Sequence, residues 1–244
     1  MTPAWLHDLS IFALVVGGLC ALIIAVDEVV HPQHMWIMNV VWPVVALFGG
    51  PVSVWGYFKY GRLATKSATM EAKQEGREPP NKVLTPFPIV VAKGASHCGS
   101  GCTLGDICAE WLAFAFPAVA VWFGWGSLFE EKIFAVWVLD YIFAFLFGIA
   151  FQYFTIAPMR HLRPLEGLWQ ALKADTLSLT AWQIGMYGFM AFAYFYLFRV
   201  LLGMRLEVNS FEFWFMMQIA MICGFMTSYP INWFLIRSGI KEKM

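Results

Sequence analysis

Apolar residues run along this chain in six blocks separated by polar connections, at about 5–26, 36–58, 106–126, 133–155, 175–200 and 212–235. Each block is long enough, as a helix, to cross a hydrocarbon core about 30 Å thick, which takes about 20 residues. The pattern predicts an all-α, polytopic membrane helical bundle of six transmembrane helices. The longest polar stretch, 59–96, mixes Lys, Arg and Glu, and its Glu78-Pro79-Pro80-Asn81 reads as a short helix broken by a proline turn. This stretch divides the chain into an N-terminal transmembrane hairpin (1–58), a basic linker (59–96) and a four-helix transmembrane domain (97–244). The hairpin turn, from Asp27 and Glu28 through His31 and His34 to Met35, is expected on the side away from the linker.

Composition narrows the class further, because 60% hydrophobic residues against 13% charged exclude a water-soluble globule. Lys and Arg are unevenly spread. The linker carries seven, the connection 156–174 three (Arg160, Arg163, Lys173) and the tail three (Arg237, Lys241, Lys243). The other connections hold only Lys132, Arg199 and Arg205. By the positive-inside rule, the predicted six spans place both termini in the cytoplasm of a bacterial inner membrane. The first block has neither a cationic leader nor a small-residue cleavage pattern, so it reads as a retained helix. Cys20, Cys108 and Cys223 stand singly in apolar surroundings, unlike a disulfide framework. With zero formal net charge, nothing points to nucleic acid.

Candidate chemistry concentrates in Ala95-Ser96-His97-Cys98-Gly99-Ser100-Gly101-Cys102-Thr103-Leu104-Gly105-Asp106. Cys98, Cys102 and Asp106 recur every four residues, so on a helix they share a face. His97 is expected in a glycine-loosened turn at the start of the third span, free to swing toward both sulfurs. Thiolates and imidazole select copper, zinc or iron clusters over hard cations. The same residues also suit close helix packing, since buried Cys acts as a small hydrophobe and Gly101, Gly105 and Ala109 have small-xxx-small spacing. Asp175, expected to open the fifth span, reads equally as an N-cap and as a carboxylate turned into the bundle. Met186 with Met190, and Met217 with Met221, are thioether pairs that either fill the core or line a Cu(I) path. His31 and His34 would form a capture point on the far side, or simple polar caps. Asp140 and Gln152 need buried partners.

No catalytic constellation stands out, so an enzyme is not expected. The leading expectation is a protein that binds or moves a soft transition metal, copper ahead of zinc. His97, Cys98 and Cys102 would be ligands, with Asp106 and Asp175 compensating charge. Its partners would be the lipid bilayer and a membrane cuproenzyme. A non-catalytic subunit of a larger membrane complex and a membrane thiol redox protein are the alternatives.

Three motifs carry a resemblance: His97-Cys98-x-x-Gly101-Cys102-x-x-Gly105-Asp106, then Lys173-Ala174-Asp175-Thr176, then Tyr229-Pro230-Ile231-Asn232-Trp233. Together, over about 90–240, they resemble an uncharacterised bacterial integral-membrane family defined only as a domain of unknown function. The resemblance implies a four-helix core with an added N-terminal hairpin, and it implies no activity.

Overall fold

A computed structural model describes residues 3–160 and 163–242, and among these the protein is helical, with no strand beyond two isolated bridges. Lys243 lies outside the described residues. The main helices are α1 (Ala4–Val30), α2 (Met38–Gly56), α3 (Lys66–Gln74), α4 (Pro80–Leu84), α5 (Phe87–Ala115), α6 (Pro117–Trp122), α7 (Lys132–Arg160), α8 (Pro164–Ala191) and α9 (Phe211–Arg237). A π-helical stretch, Phe192–Leu201, prolongs α8. As expected, a proline turn separates the two short linker helices.

Five helical stretches are long and apolar enough to cross a membrane: α1, Met38–Ala64, α7, Pro164–Leu201 and α9. One of them does not run straight. Continuous helix from Met38 to Ala64 would separate its ends by about 39 Å. Yet the Ala64 carbonyl accepts from the His34 amide at 2.9 Å, and the Lys66 amide donates to the Pro32 carbonyl at 2.8 Å. The chain reverses at Gly49-Gly50-Pro51, where Gly50 has φ 51°. This left-handed conformation favours glycine, and Pro51 has no amide hydrogen with which to continue the helix. The two arms pack on each other, with the Trp42 and Tyr57 rings 5.6 Å apart. Ser53 Oγ donates to the Val45 carbonyl across the turn. Each arm is about 18 Å long, roughly half a hydrocarbon core.

This fold-back corrects the predicted topology. Asp27, at the end of α1, accepts from Tyr57 Oη at 2.7 Å and pairs with Arg62, so the 27–35 turn and the linker lie at the same end of the bundle. The C-terminal tail is there too, since Lys241 Nζ donates to the Gly94 carbonyl and Tyr229 Oη to the Pro88 carbonyl. The N-terminus is at the other end, where His7 Nδ1 meets Glu212 Oε1 at 2.8 Å. The chain therefore traverses the bundle five times, through α1, α5, α7, α8 with its extension, and α9. Its described ends lie at opposite faces, rather than together as six spans require. The segregation of Lys and Arg survives, because the N-terminal segment contains neither.

The third span also differs from expectation. Helix α5 starts at Phe87, about twenty residues before the predicted apolar block, and stops at Phe116, ahead of Pro117. The last ten residues of the expected linker thus belong to this helix. Its polar residues turn into the bundle, where Gly101 and Gly105 lie against α7. A Cβ at Gly101 would stand 3.0 Å from Gly148 Cα, and one at Gly105 would stand 2.4 Å from Ala144 N. Lost side chains there let two helices approach closely.

Candidate functional site

With α5 as a continuous helix, the Cys98, Cys102, Asp106 series gains a fourth member, Glu110. All four are buried: the first three have 0% exposure and Glu110 has 3%. They form a stripe along the middle of α5. Antiparallel packing of α7 on α5 pairs 101 with 148 and 105 with 144, which sets Asp140 opposite Ala109, between Asp106 and Glu110 in height. Asp140 is likewise fully buried, and neither its oxygens nor those of Asp106 have a hydrogen-bond partner among the described residues. From α8, the buried Gln183 faces Asp106, and its amide atoms make no hydrogen bond of regular geometry.

Toward the tail end, Cys98 and Cys102 stand one turn apart on α5, and Asp175 of α8 comes near Cys98 without a hydrogen bond of regular geometry. Asp175 is not an N-cap. Helix α8 begins at Pro164 after Arg163, so Asp175 sits about three turns in from its start, 1% exposed. Its carboxylate occupies space left by Gly148, where a Cβ would come within 2.3 Å of Oδ2. Asn232 of α9 donates to Ser178 Oγ at 2.7 Å and Ser228 Oγ at 2.8 Å, while its Oδ1 accepts from Lys241 Nζ at 2.8 Å.

The polar groups line up through the bundle as a file: Lys241 with Asn232, then Asp175, Cys98, Cys102, Asp106, Asp140 and Glu110. At its far end Glu110 faces Lys132, whose ammonium donates to the Ala113 carbonyl at 3.0 Å. Lys132 also lines a surface cavity of about 600 Å³ with Glu130, Glu131, Arg199 and Arg205. Both faces of the bundle thus have charged groups at the ends of the file, while its middle is buried and carboxyl-rich.

His97 does not join the thiols. Its Nε2 pairs with Thr155 Oγ1 of α7 at 3.0 Å, its ring lies against Phe151, and its position within α5 removes the expected flexible turn. Among the described residues no group of three or more His, Cys, Asp or Glu side chains is arranged to hold a metal ion. Met186 and Met190 pack into the apolar core among Trp182, Leu179 and Phe198. Met217 and Met221 come closer to the file: Met221 Sδ accepts from Thr103 Oγ1 at 3.5 Å. Both line a cavity of about 300 Å³ that reaches Asp106.

His31 and His34 lie on the linker side, not across the bundle from it. His31 Nδ1 is 3.1 Å from Arg62 Nη2, whereas His34 faces Lys73 and Lys66. Partial burial and these two ammonium groups hold the His34 imidazole below its usual range.

Two members of the file, Glu110 and Lys241, escaped the reading of the sequence, and a third, Asp140, was read without its partners. Glu110 was visible in principle, as the next step of the four-residue series. Lys241 looked like a tail cation, and only the return of the tail into the bundle gives it partners. Asp140 was visible as a buried carboxyl, but its neighbours depend on the α5–α7 register.

No curated protein and no solved structure matches the chain. A family model, described as a domain of unknown function (DUF4396), matches residues 90–241. That region starts at the head of α5 and takes in the whole file, leaving α1 and the folded α2 outside. Since it covers more than half of the sequence, the chain belongs to the DUF4396 family.

Proposed function

We propose that this is a multi-pass protein of a bacterial inner membrane that binds a soft cation, Cu(I), and passes it along the buried file. The observation that carries the reading is the Cys98–Cys102 pair: two unexposed thiols one turn apart on the same face of α5, aligned with carboxyl groups on both sides. Thiolates select Cu(I), which accepts two ligands, whereas structural zinc requires four. With His97 held by Thr155, a two-sulfur site suits copper better than zinc. Met217 and Met221 beside Asp106 would offer neutral sulfur along the way. The Lys- and Arg-rich tail end is the cytoplasmic face in this reading, which puts the N-terminus outside.

Anaerobic titration of the reduced, detergent-purified protein with Cu(I), against a competing Cu(I) chelator, tests the proposal. One Cu(I) per chain is expected, lost in the Cys98→Ser/Cys102→Ser variant. Equal binding by the variant would overturn it.

The four unpartnered oxygens of Asp106 and Asp140 favour a second reading, proton transfer. Ionised carboxylates are costly in an apolar interior, so these groups would carry protons. Proton uptake by proteoliposomes that survives Cys98→Ser/Cys102→Ser and fails in Asp106→Asn would select this reading over copper.

A further inference from the structure

The tail of the protein enters the bundle by a defined route. Helix α9 ends in a Schellman turn: Ile240 N donates to the Leu235 carbonyl and Gly239 N to the Ile236 carbonyl, with Gly239 at φ 73°. This turn points Lys241 inward, where the side chain is fully buried. Its ammonium is surrounded by oxygen. Asn232 Oδ1 lies at 2.8 Å, the Gly94 carbonyl at 3.1 Å, Ser178 Oγ at 3.4 Å and Asp175 Oδ1 at 3.9 Å. These atoms come from three helices, and Ser228 orients Asn232 so that its oxygen faces the ammonium.

A lysine that only neutralised Asp175 would approach the carboxylate closely. Here the three shorter contacts are to neutral oxygens, and Asp175 is the most distant of the four. Neutral carbonyl, amide and hydroxyl oxygens around one carboxylate are the donor set of a hard monovalent cation. Cys98 lies behind Asp175, so the ammonium stands between the tail-end solvent and the thiols.

We propose that Gly94 O, Ser178 Oγ, Asn232 Oδ1 and Asp175 form a binding site for a hard monovalent cation, an alkali ion or ammonium, which Lys241 occupies as a tethered stand-in. While Lys241 is seated the tail end of the file is closed. When the tail withdraws, the path to Cys98 becomes accessible, until a free ion takes the place of the ammonium and closes it again. This site is separate from the Cys98–Cys102 proposal, which the copper titration tests by itself.

The test uses the whole 244-residue chain with Cys20, Cys108 and Cys223 replaced by Ala, leaving Cys98 and Cys102 as its only thiols. Modification by a permanently charged, water-soluble methanethiosulfonate reports access. Lys241→Ala should react about tenfold faster than the parent, because labelling of a buried group follows the population of the open form. Sodium or potassium chloride, against N-methylglucamine chloride at equal ionic strength, should slow that reaction and raise the thermal midpoint of the variant. The parent and Lys241→Arg should show neither effect. Gly239→Ala, which disturbs the turn and keeps every oxygen of the cage, should behave like Lys241→Ala and serves if that variant does not purify. Labelling at the parental rate, or faster labelling that no alkali ion slows, would overturn the proposal.

Discussion

Single side chains in this protein are placed by partners on other helices, and this sets what each substitution does. Asn232 gives two hydrogen bonds to hydroxyls and accepts one from Lys241. Asn232→Ala should therefore cost about 2–3 kcal/mol of stability, since buried groups lose their partners, as read from denaturant unfolding in detergent. His34 gives a pH signature outside the bundle. Its imidazole is held below its ordinary value, so the unfolded chain takes up the proton first. Its contribution to stability is complete above about pH 6.5 and declines as pH falls through that value. Lys73→Ala should move the His34 titration upward, checked by NMR of the ring. At this scale the sequence was informative wherever chemistry repeats along one helix. Cys98, Cys102 and Asp106 follow from spacing alone. Asp175 beside Cys98 does not, because it depends on how α5 and α8 are set against each other.

Elements were legible to the extent that apolar residues ran without interruption. Helices α7 and α9 emerge close to their predicted limits, whereas α5 does not, because it turns its polar residues inward and so fails a test of hydropathy. Its burial is enforced by glycine. Gly105→Val would drive a side chain into the backbone of α7 at Ala144, and we expect loss of monodisperse protein on size exclusion. Ala109→Gly, by contrast, should leave the fold intact at a cost of about 1 kcal/mol. Helix α2 shows the opposite failure of hydropathy, which measures how apolar a stretch is and not whether it reverses. The signal was Gly49-Gly50-Pro51. Gly50→Val would have to adopt φ 51°, and it should destabilise the hairpin by a few kcal/mol, about 1–3 for the strained backbone alone.

For the whole molecule, the fold-back changes the parity of the chain. Reporter fusions should place residue 3 and residue 242 on opposite sides of the membrane, as judged by enzymatic reporters active in only one compartment. The distribution of Lys and Arg had grouped the linker, the 156–174 connection and the tail at one end of the bundle, but the six-span reading misplaced the N-terminus and the 27–35 turn, neither of which carries Lys or Arg to mark it. The reversal at Gly50 also shapes the bundle. Leaving aside the short helices α3, α4 and α6, the half nearest the tail contains, among the described residues, seven helical segments, two of them arms of α2, and the other half contains five. With each helix about 10 Å across, the protein is a wedge that displaces more lipid from one leaflet than from the other. A strongly curved vesicle has its larger area outside, so reconstitution into small vesicles should sort the broad, tail-bearing face outward, and large vesicles should lose that bias. Protease access to an epitope at the C-terminus measures the difference, and the membrane's own geometry then becomes a determinant of which way the protein faces.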